Sequence, residues 1–310
     1  MDRSPRIAFI ILAHRYPQLL RRIIERLHYK EWGFFVHVDS KSDIAPFQRE
    51  LNGLNASITW LTREDGRWGG FGIVQATLNG LQAVLQSDCE YDHAVLLSGQ
   101  TYPIKPTQQI AEFFKQHHGQ SILHYHGVPD SSWADTNDGL DRIERYHFMF
   151  RGWPRVHPPL RKPTTPKEYL LQQLFAVRFP AKRRFPGGFV PYGGSQWWCL
   201  SHDVVEYVVD FCSRNRNFVK YHRYTLLADE IFFHSIILNA PNQRFQTEIV
   251  NDFSVYMDWS LGYCKTLGMD DFQRIADSAM LFARKFDETV SAEVLDKIDS
   301  VLLADQHAGR

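Results

Sequence analysis

Short apolar runs alternate with stretches of helical periodicity through the first 126 residues, and this alternation restricts the fold more than any other feature of the chain. RIAFIILAH (6–14) has the length of a buried strand. Tyr16-Pro17 then opens a segment in which Leu19, Leu20, Ile23, Ile24 and Leu27 recur at helical spacing. GFFVHVD (33–39), SITWLT (57–62) and HAVLLSG (93–99) repeat the strand pattern. Helices are expected near 71–86 and 107–117, with a short strand near 121–124. Strands separated by helices predict an α/β fold, a mostly parallel central sheet flanked by helices on both faces. Ligands of such sheets lie beyond the carboxyl ends of the strands, where His14, Asp39 and Ser98 fall.

Between 127 and 192 the periodicity breaks down into Pro, Arg, Lys, Gly and Trp, with one helix expected at 166–178. This reads as a long surface excursion. Regular structure resumes at SQWWCLS (195–201), with helices expected at 202–213 and 226–239. No internal repeat breaks the chain into units, and 310 residues suffice for a single domain. Thirty-five basic and thirty-five acidic side chains cancel, which argues against a broad nucleic-acid footprint. Cys89, Cys199, Cys212 and Cys264 are scattered, with no CxxC pair, and read as free thiols in a reducing compartment. The apolar run 7–13 is a strand length, too short for a membrane helix and without a signal-peptide cleavage site. A cytoplasmic protein is the expectation.

Several chemistries lose support at once. GxSxG, P-loop, HExxH and GxGxxG motifs are missing, and Ser98-Gly99-Gln100-Thr101 stands where an Asp-x-Asp metal site would follow a central strand. His124 and His126 share one strand face but lack a third convergent ligand, so no metal site is assigned. LLADEIFFHSII places Asp229 and Glu230 at the first turn of an apolar helix. Two readings fit: carboxylates favoured by the helix dipole, or Glu230 as a general base that takes a proton from an attacking hydroxyl. Lys265, Arg284 and Lys285 lie in a late segment framed by Leu281-Phe282 and Phe286. They fit either a solvated surface or a cationic cradle for a departing diphosphate. YGGSQWWCLS (192–201) combines glycines with Ser195, Gln196 and Trp197, which suits close approach and stacking against a ligand as well as a tight turn. DGRWGGFG (65–72) joins a Gly-rich turn to a helix.

These segments together resemble the core-2/I-branching enzymes, a family that includes the protein xylosyltransferases. The matching blocks are ILAH, VHVDSKSD, RWGGFGIVQATL, LLSGQTYPIKP, GSQWWCLS, ADEIFFHSII and LFARKFD, in family order from about residue 7 to 287. The resemblance implies a GT-A-like glycosyltransferase fold and inverting transfer of GlcNAc or xylose from UDP-GlcNAc or UDP-xylose to a glycan or protein acceptor. It implies no metal and no cofactor beyond the UDP-sugar substrate. Glu230 maps onto the base, Lys285 and Lys265 onto the groups that neutralise the diphosphate, and Asp39, Arg67, Ser98 and Gly99 onto the nucleotide side. Ser195, Gln196, Trp197 and Asp229 fall on the donor or acceptor side, and Asp141 or Glu144, in LDRIERYHF, is the acceptor-binding acid. The single domain 1–310 then divides into a nucleotide-binding half (5–126), an irregular acceptor-side insertion (127–192) and a catalytic and diphosphate-binding half (193–290). Thr101 departs from the family, which has an acidic residue there. The chain shows no anchor, stem or disulfide pattern and so resembles bacterial members; a lipid-linked acceptor would bring it to a membrane surface. Two rivals stand beside this reading. One is a metal-dependent transferase using Asp39 and Asp43. The other is a non-catalytic protein that binds a glycan or a nucleotide-sugar.

Overall fold

The structure, a computed structural model, describes residues 3–150, 153–157, 165, 166, 168–170, 173, 174, 179, 182–241 and 243–304. In chain order the first strands are β1 (Ile7–Ala13), β2 (Gly33–Val38), β3 (Ser57–Trp60), β4 (His93–Ser98), β5 (Thr101–Pro103), β6 (Ser121–Ile122) and β7 (Tyr125–Gly127). There follow β8 (Tyr146–Phe150), β9 (Trp153–His157), β10 (Tyr192–Gly194), β11 (Cys199–Ser201), β12 (Ile249–Val250), β13 (Val255–Met257) and β14 (Phe282–Arg284). The central sheet runs β12-β6-β11-β4-β1-β2-β3. Its β3-β2-β1-β4 half is parallel throughout, whereas β11 runs antiparallel to both β4 and β6. The α/β class expected from the sequence is the one observed.

Every residue of β2 and β4 is buried, because helices cover both faces. Helix Pro17–Arg26 turns Leu19, Leu20, Ile23 and Ile24 inward, as their spacing requires. Each such side chain contributes about 1.5–3 kcal/mol by leaving water. Helix Gly72–Leu85 crosses β1 so closely that a Cβ on Gly80 would come within 2.6 Å of the Ile10 side chain.

Register decides where the site falls. Ala13 pairs with Val38 and Leu12 with Ser98, so β1, β2 and β4 end level. The Asp39 N–H donates to the Ala13 carbonyl at 2.8 Å, and the Gly99 N–H donates to the Leu12 carbonyl at 2.9 Å. A second sheet, β13-β14-β5, brings the chain's late residues to this same edge: Arg284 pairs with Thr101, three residues after Ser98.

Two expectations need correction. The regular structure expected to resume over 195–201 is a strand only from Cys199 onward. The helix expected over 226–239 is broken: a 3-10 turn, Ala228–Glu230, precedes a separate helix, Phe232–Leu238. Leu227 takes the left-handed conformation (φ 50°, ψ 50°), and Ile231 departs from helical geometry (φ −127°). Asp229 and Glu230 therefore do not sit on the first turn of a long helix, and the helix-dipole reading loses its basis. Within 127–192 the structure adds helix Leu140–Glu144 and the β8–β9 hairpin. The helix expected at 166–178 lies largely outside the described residues.

Candidate active site

The edge formed by β1, β2 and β4 carries the first wall. Asp39 is buried. Its Oδ1 accepts from the Lys41 backbone N–H at 2.8 Å, and its Oδ2 accepts from Lys41 Nζ at 3.1 Å. Lys41 also reaches Asp65, which pairs with Arg67 at 3.0 Å. Gly66 lies against Asp39, since a Cβ there would be 3.0 Å from Oδ2. His14, the residue after β1, is held below the ordinary histidine range by burial and by Arg15.

The RWGG turn joins this wall to the next. Arg67 Nη1 donates to the Met149 carbonyl at 3.2 Å. Gly69 adopts φ +75°, and any Cβ there would strike Met149 at 2.8 Å, so both conformation and space select glycine. Its carbonyl accepts from the Leu227 N–H at 3.2 Å, which fixes the turn that presents Asp229 and Glu230. Trp68 is left 72 % exposed.

Glu230 is gripped from one side. Its Oε2 accepts from Arg142 Nη1 at 2.6 Å, with the Arg142 side chain 6 % exposed and that of Glu230 28 % exposed. Burial pushes the Glu230 carboxyl above its usual range, and Arg142 opposes that rise. Arg142 is itself fixed. Its guanidinium stacks over the Trp133 ring at 3.8 Å, and its Nε donates to Thr136 Oγ1 at 3.0 Å. Trp133 needs Gly193 beneath it, because a Cβ there would lie 2.2 Å from the indole. Oε1 of Glu230 has no hydrogen-bond partner among the described residues.

The third wall is cationic. Arg284 lies with its guanidinium 4.4 Å above the Trp197 ring. Lys285 follows, half-buried and without an ion pair among the described residues. Ser98 closes the floor: its Oγ hydrogen-bonds Thr101 Oγ1 at 2.9 Å and accepts from the Gln100 N–H at 3.2 Å. Gln100 ties the floor to the late segment by donating to the Phe286 carbonyl at 2.8 Å. Gly99 packs on Ala13, where a Cβ would meet the Ala13 side chain at 3.1 Å. Ser195 Oγ accepts from the Trp197 N–H at 3.2 Å, and Gln196 beside it is half-buried.

The fold thus gathers Asp39, Arg67, Ser98, Gly99, Trp197, Asp229, Glu230, Arg284 and Lys285 around one edge of the sheet. It treats three other sequence candidates differently. Lys265 is committed to Asp271, a buried carboxylate 2.7 Å away that Arg274 also contacts; only its backbone adjoins Lys285. Asp141 pairs with Arg145 at 2.8 Å, and Glu144 pairs with Lys182 at 2.5 Å. From that same helix it is Arg142, between the two acids, that reaches Glu230. Sequence reading missed Arg142 and Trp133, because nothing local says which charge of LDRIER turns inward. Asp43 accepts from the Ala45 N–H at 3.0 Å at the start of helix Ala45–Leu51. His124 stacks on Phe253 at 3.8 Å and His126 packs edge-on to Trp133 at 4.6 Å.

At the parallel edge of this α/β sheet the geometry therefore brings together a clamped carboxylate, Glu230, and a buried acid, Asp229, within electrostatic reach of Arg284. A profile of the core-2/I-branching enzymes matches residues 7–276, and the chain belongs to this family of glycosyltransferases. It is 26 % identical to rat xylosyltransferase 1 over 98 % of this chain and 36 % of that one. Human xylosyltransferase 1 is 26 % identical over 98 % and 31 %, and bovine xylosyltransferase 2 is 26 % identical over 98 % and 34 %. The chain thus spans about a third of the length of these curated relatives. No helix among the described residues is long and apolar enough to cross a membrane.

Proposed function

We propose that this chain is an inverting, metal-independent glycosyltransferase that moves GlcNAc or xylose from a UDP-sugar to a hydroxyl of a glycan or protein, with Glu230 as its base. One observation carries the reading: Glu230 is held through Oε2 by Arg142, its Oε1 has no hydrogen-bond partner among the described residues, and its neighbour Asp229 lies within electrostatic reach of Arg284. A base needs an unoccupied oxygen in a fixed place and a carboxylate that is ionised yet basic. Burial supplies basicity, and Arg142 supplies ionisation and orientation. An acceptor hydroxyl entering at Oε1 gives up its proton as its oxygen attacks the anomeric carbon. The C–O bond to the diphosphate breaks on the opposite face, and the β-linked product forms.

Negative charge then grows on the departing diphosphate. We assign its stabilisation to Arg284 and Lys285, a part that the sequence reading divides between Lys285 and Lys265. Asp39 and the 65–70 turn supply the nucleotide side, with Ser98 and Gly99 as the floor. For the metal-dependent alternative, Asp39 would have to release Lys41, which engages both of its oxygens; activity that survives excess chelator rejects that alternative. The decisive test is Glu230→Gln. Transfer should fall by about 10²–10⁴-fold, the usual worth of a general base, while UDP affinity stays nearly unchanged. Full activity in that variant sinks the assignment.

A further inference from the structure

Asp229 is a buried acid that the mechanism above does not use. It is 4 % exposed, yet its Oδ1 has no hydrogen-bond partner. Leaving a buried carboxylate oxygen unpartnered is costly, and in native proteins such an atom calls for an explanation. The backbone turns out of its way to hold it there. Leu227 sits in the left-handed region, uncommon for a branched side chain, and the Gly69 carbonyl locks that turn.

Its neighbours say what the open oxygen faces. Asp229 is next in sequence to Glu230, and burial first, then the Glu230 charge, raises the Asp229 carboxyl. Arg284 is near enough to act on Asp229 electrostatically, but no ion pair joins them among the described residues. Arg284 Nε is likewise buried and unpartnered. An acid beside the base and a guanidinium assigned to the diphosphate thus each keep an unpartnered buried polar atom, close enough to act on one another without forming an ion pair among the described residues. In the transfer proposed above the donor's sugar ring lies between those two groups, because its anomeric carbon must meet the nucleophile on one face and release the diphosphate on the other. Sugar hydroxyls are the donors that a buried carboxylate oxygen lacks.

We propose that Asp229 is a specificity-determining residue that accepts a hydrogen bond from a hydroxyl of the donor sugar. The inference rests on the glycosyltransferase reading and deepens it. A site built to bond a hydroxyl rejects the analogue without it far more strongly than an apolar pocket rejects an extra group.

The test uses the full chain and isothermal titration calorimetry with UDP, UDP-xylose, UDP-GlcNAc and a monodeoxy analogue series of each sugar nucleotide. Asp229→Asn keeps the shape and Asp229→Ala removes the group; thermal melting confirms that each variant is folded. In the wild type, one monodeoxy analogue of the preferred donor should bind roughly 10–100-fold more weakly than the parent, the worth of a hydrogen bond to a charged group. In Asp229→Ala the parent should weaken by a similar factor, the same analogue should suffer no further loss, and UDP should bind as in the wild type. Equal weakening of UDP and UDP-sugar would place Asp229 at the diphosphate through Arg284 and overturn the proposal. Unchanged affinity for every probe would overturn it as well. A wild type that binds neither UDP nor any UDP-sugar defeats the transferase reading itself, an outcome that the wild-type titrations alone reveal.

Discussion

Arg142→Ala removes one half of the Arg142–Glu230 pair and leaves the other half in place. The two groups meet at 2.6 Å with side chains 6 % and 28 % exposed, so the pair is largely, not wholly, withdrawn from water. Breaking a buried pair by deleting one partner costs about 3–5 kcal/mol. The partial exposure of Glu230 argues for the lower end of that range, and the lost stack on Trp133, worth ~2 kcal/mol when desolvated, argues for the upper. A loss of about 4 kcal/mol should lower Tm by roughly 6 °C in a chain of this size. Activity carries the sharper signature. Arg142 opposes the burial that raises the Glu230 carboxyl. Without Arg142 the carboxyl binds its proton more tightly, and a base must be deprotonated to act. The acidic limb of the kcat profile therefore moves to higher pH. Arg142→Lys keeps a charge but loses the planar fork shared among Glu230, Thr136 and Trp133; its limb should move less while Tm still falls. The assays are differential scanning calorimetry and kcat against pH with saturating donor. An Arg142→Ala protein with wild-type Tm and an unmoved acidic limb would refute the clamp.

The late lysines separate cleanly. Lys265→Ala, which strips a partner from buried Asp271, should lower Tm with little change in UDP affinity, whereas Lys285→Ala should weaken UDP binding at nearly constant Tm; a reversed pattern contradicts the geometry. Gly193→Ala drives a methyl to within 2.2 Å of Trp133. Such overpacking costs about 1–3 kcal/mol, and because Trp133 carries Arg142, kcat should drop as well; a Tm loss with intact kcat would show that the stack does not position Glu230.

Much of the sheet was legible because its strands are buried on both faces. β1, β2 and β4 had to be continuous apolar runs, and their ends could be read to within a residue. That pattern alone puts His14, Asp39 and Ser98 at the carboxyl ends of strands in one sheet. The break before helix Phe232–Leu238 was illegible for the opposite reason. LLADEIFFHSII has helical composition throughout, and the bonds from Leu226 to Arg142 and from Leu227 to Gly69, both more than 80 residues back, accompany the 3-10 turn of its first part. The acids of LDRIER illustrate the same limit: a short helix shows its charges in order but not the direction in which each points. Arg142, not Asp141 or Glu144, meets Glu230, with its guanidinium stacked on a Trp133 ring that packs against Gly193.

By itself the sequence determined the α/β class and the family, since these rest on periodicity and on residue types within short blocks. Tertiary structure alone decided which charges are free. Lys265 and Lys285 look alike along the chain, yet one is spent on Asp271 and the other is not. Asp229 and Glu230 are neighbours, yet one carboxylate is clamped by Arg142 and the other is left with an open oxygen. A charge acquires its role from the partners it finds in space, and those partners are set by register and packing between segments far apart in the chain.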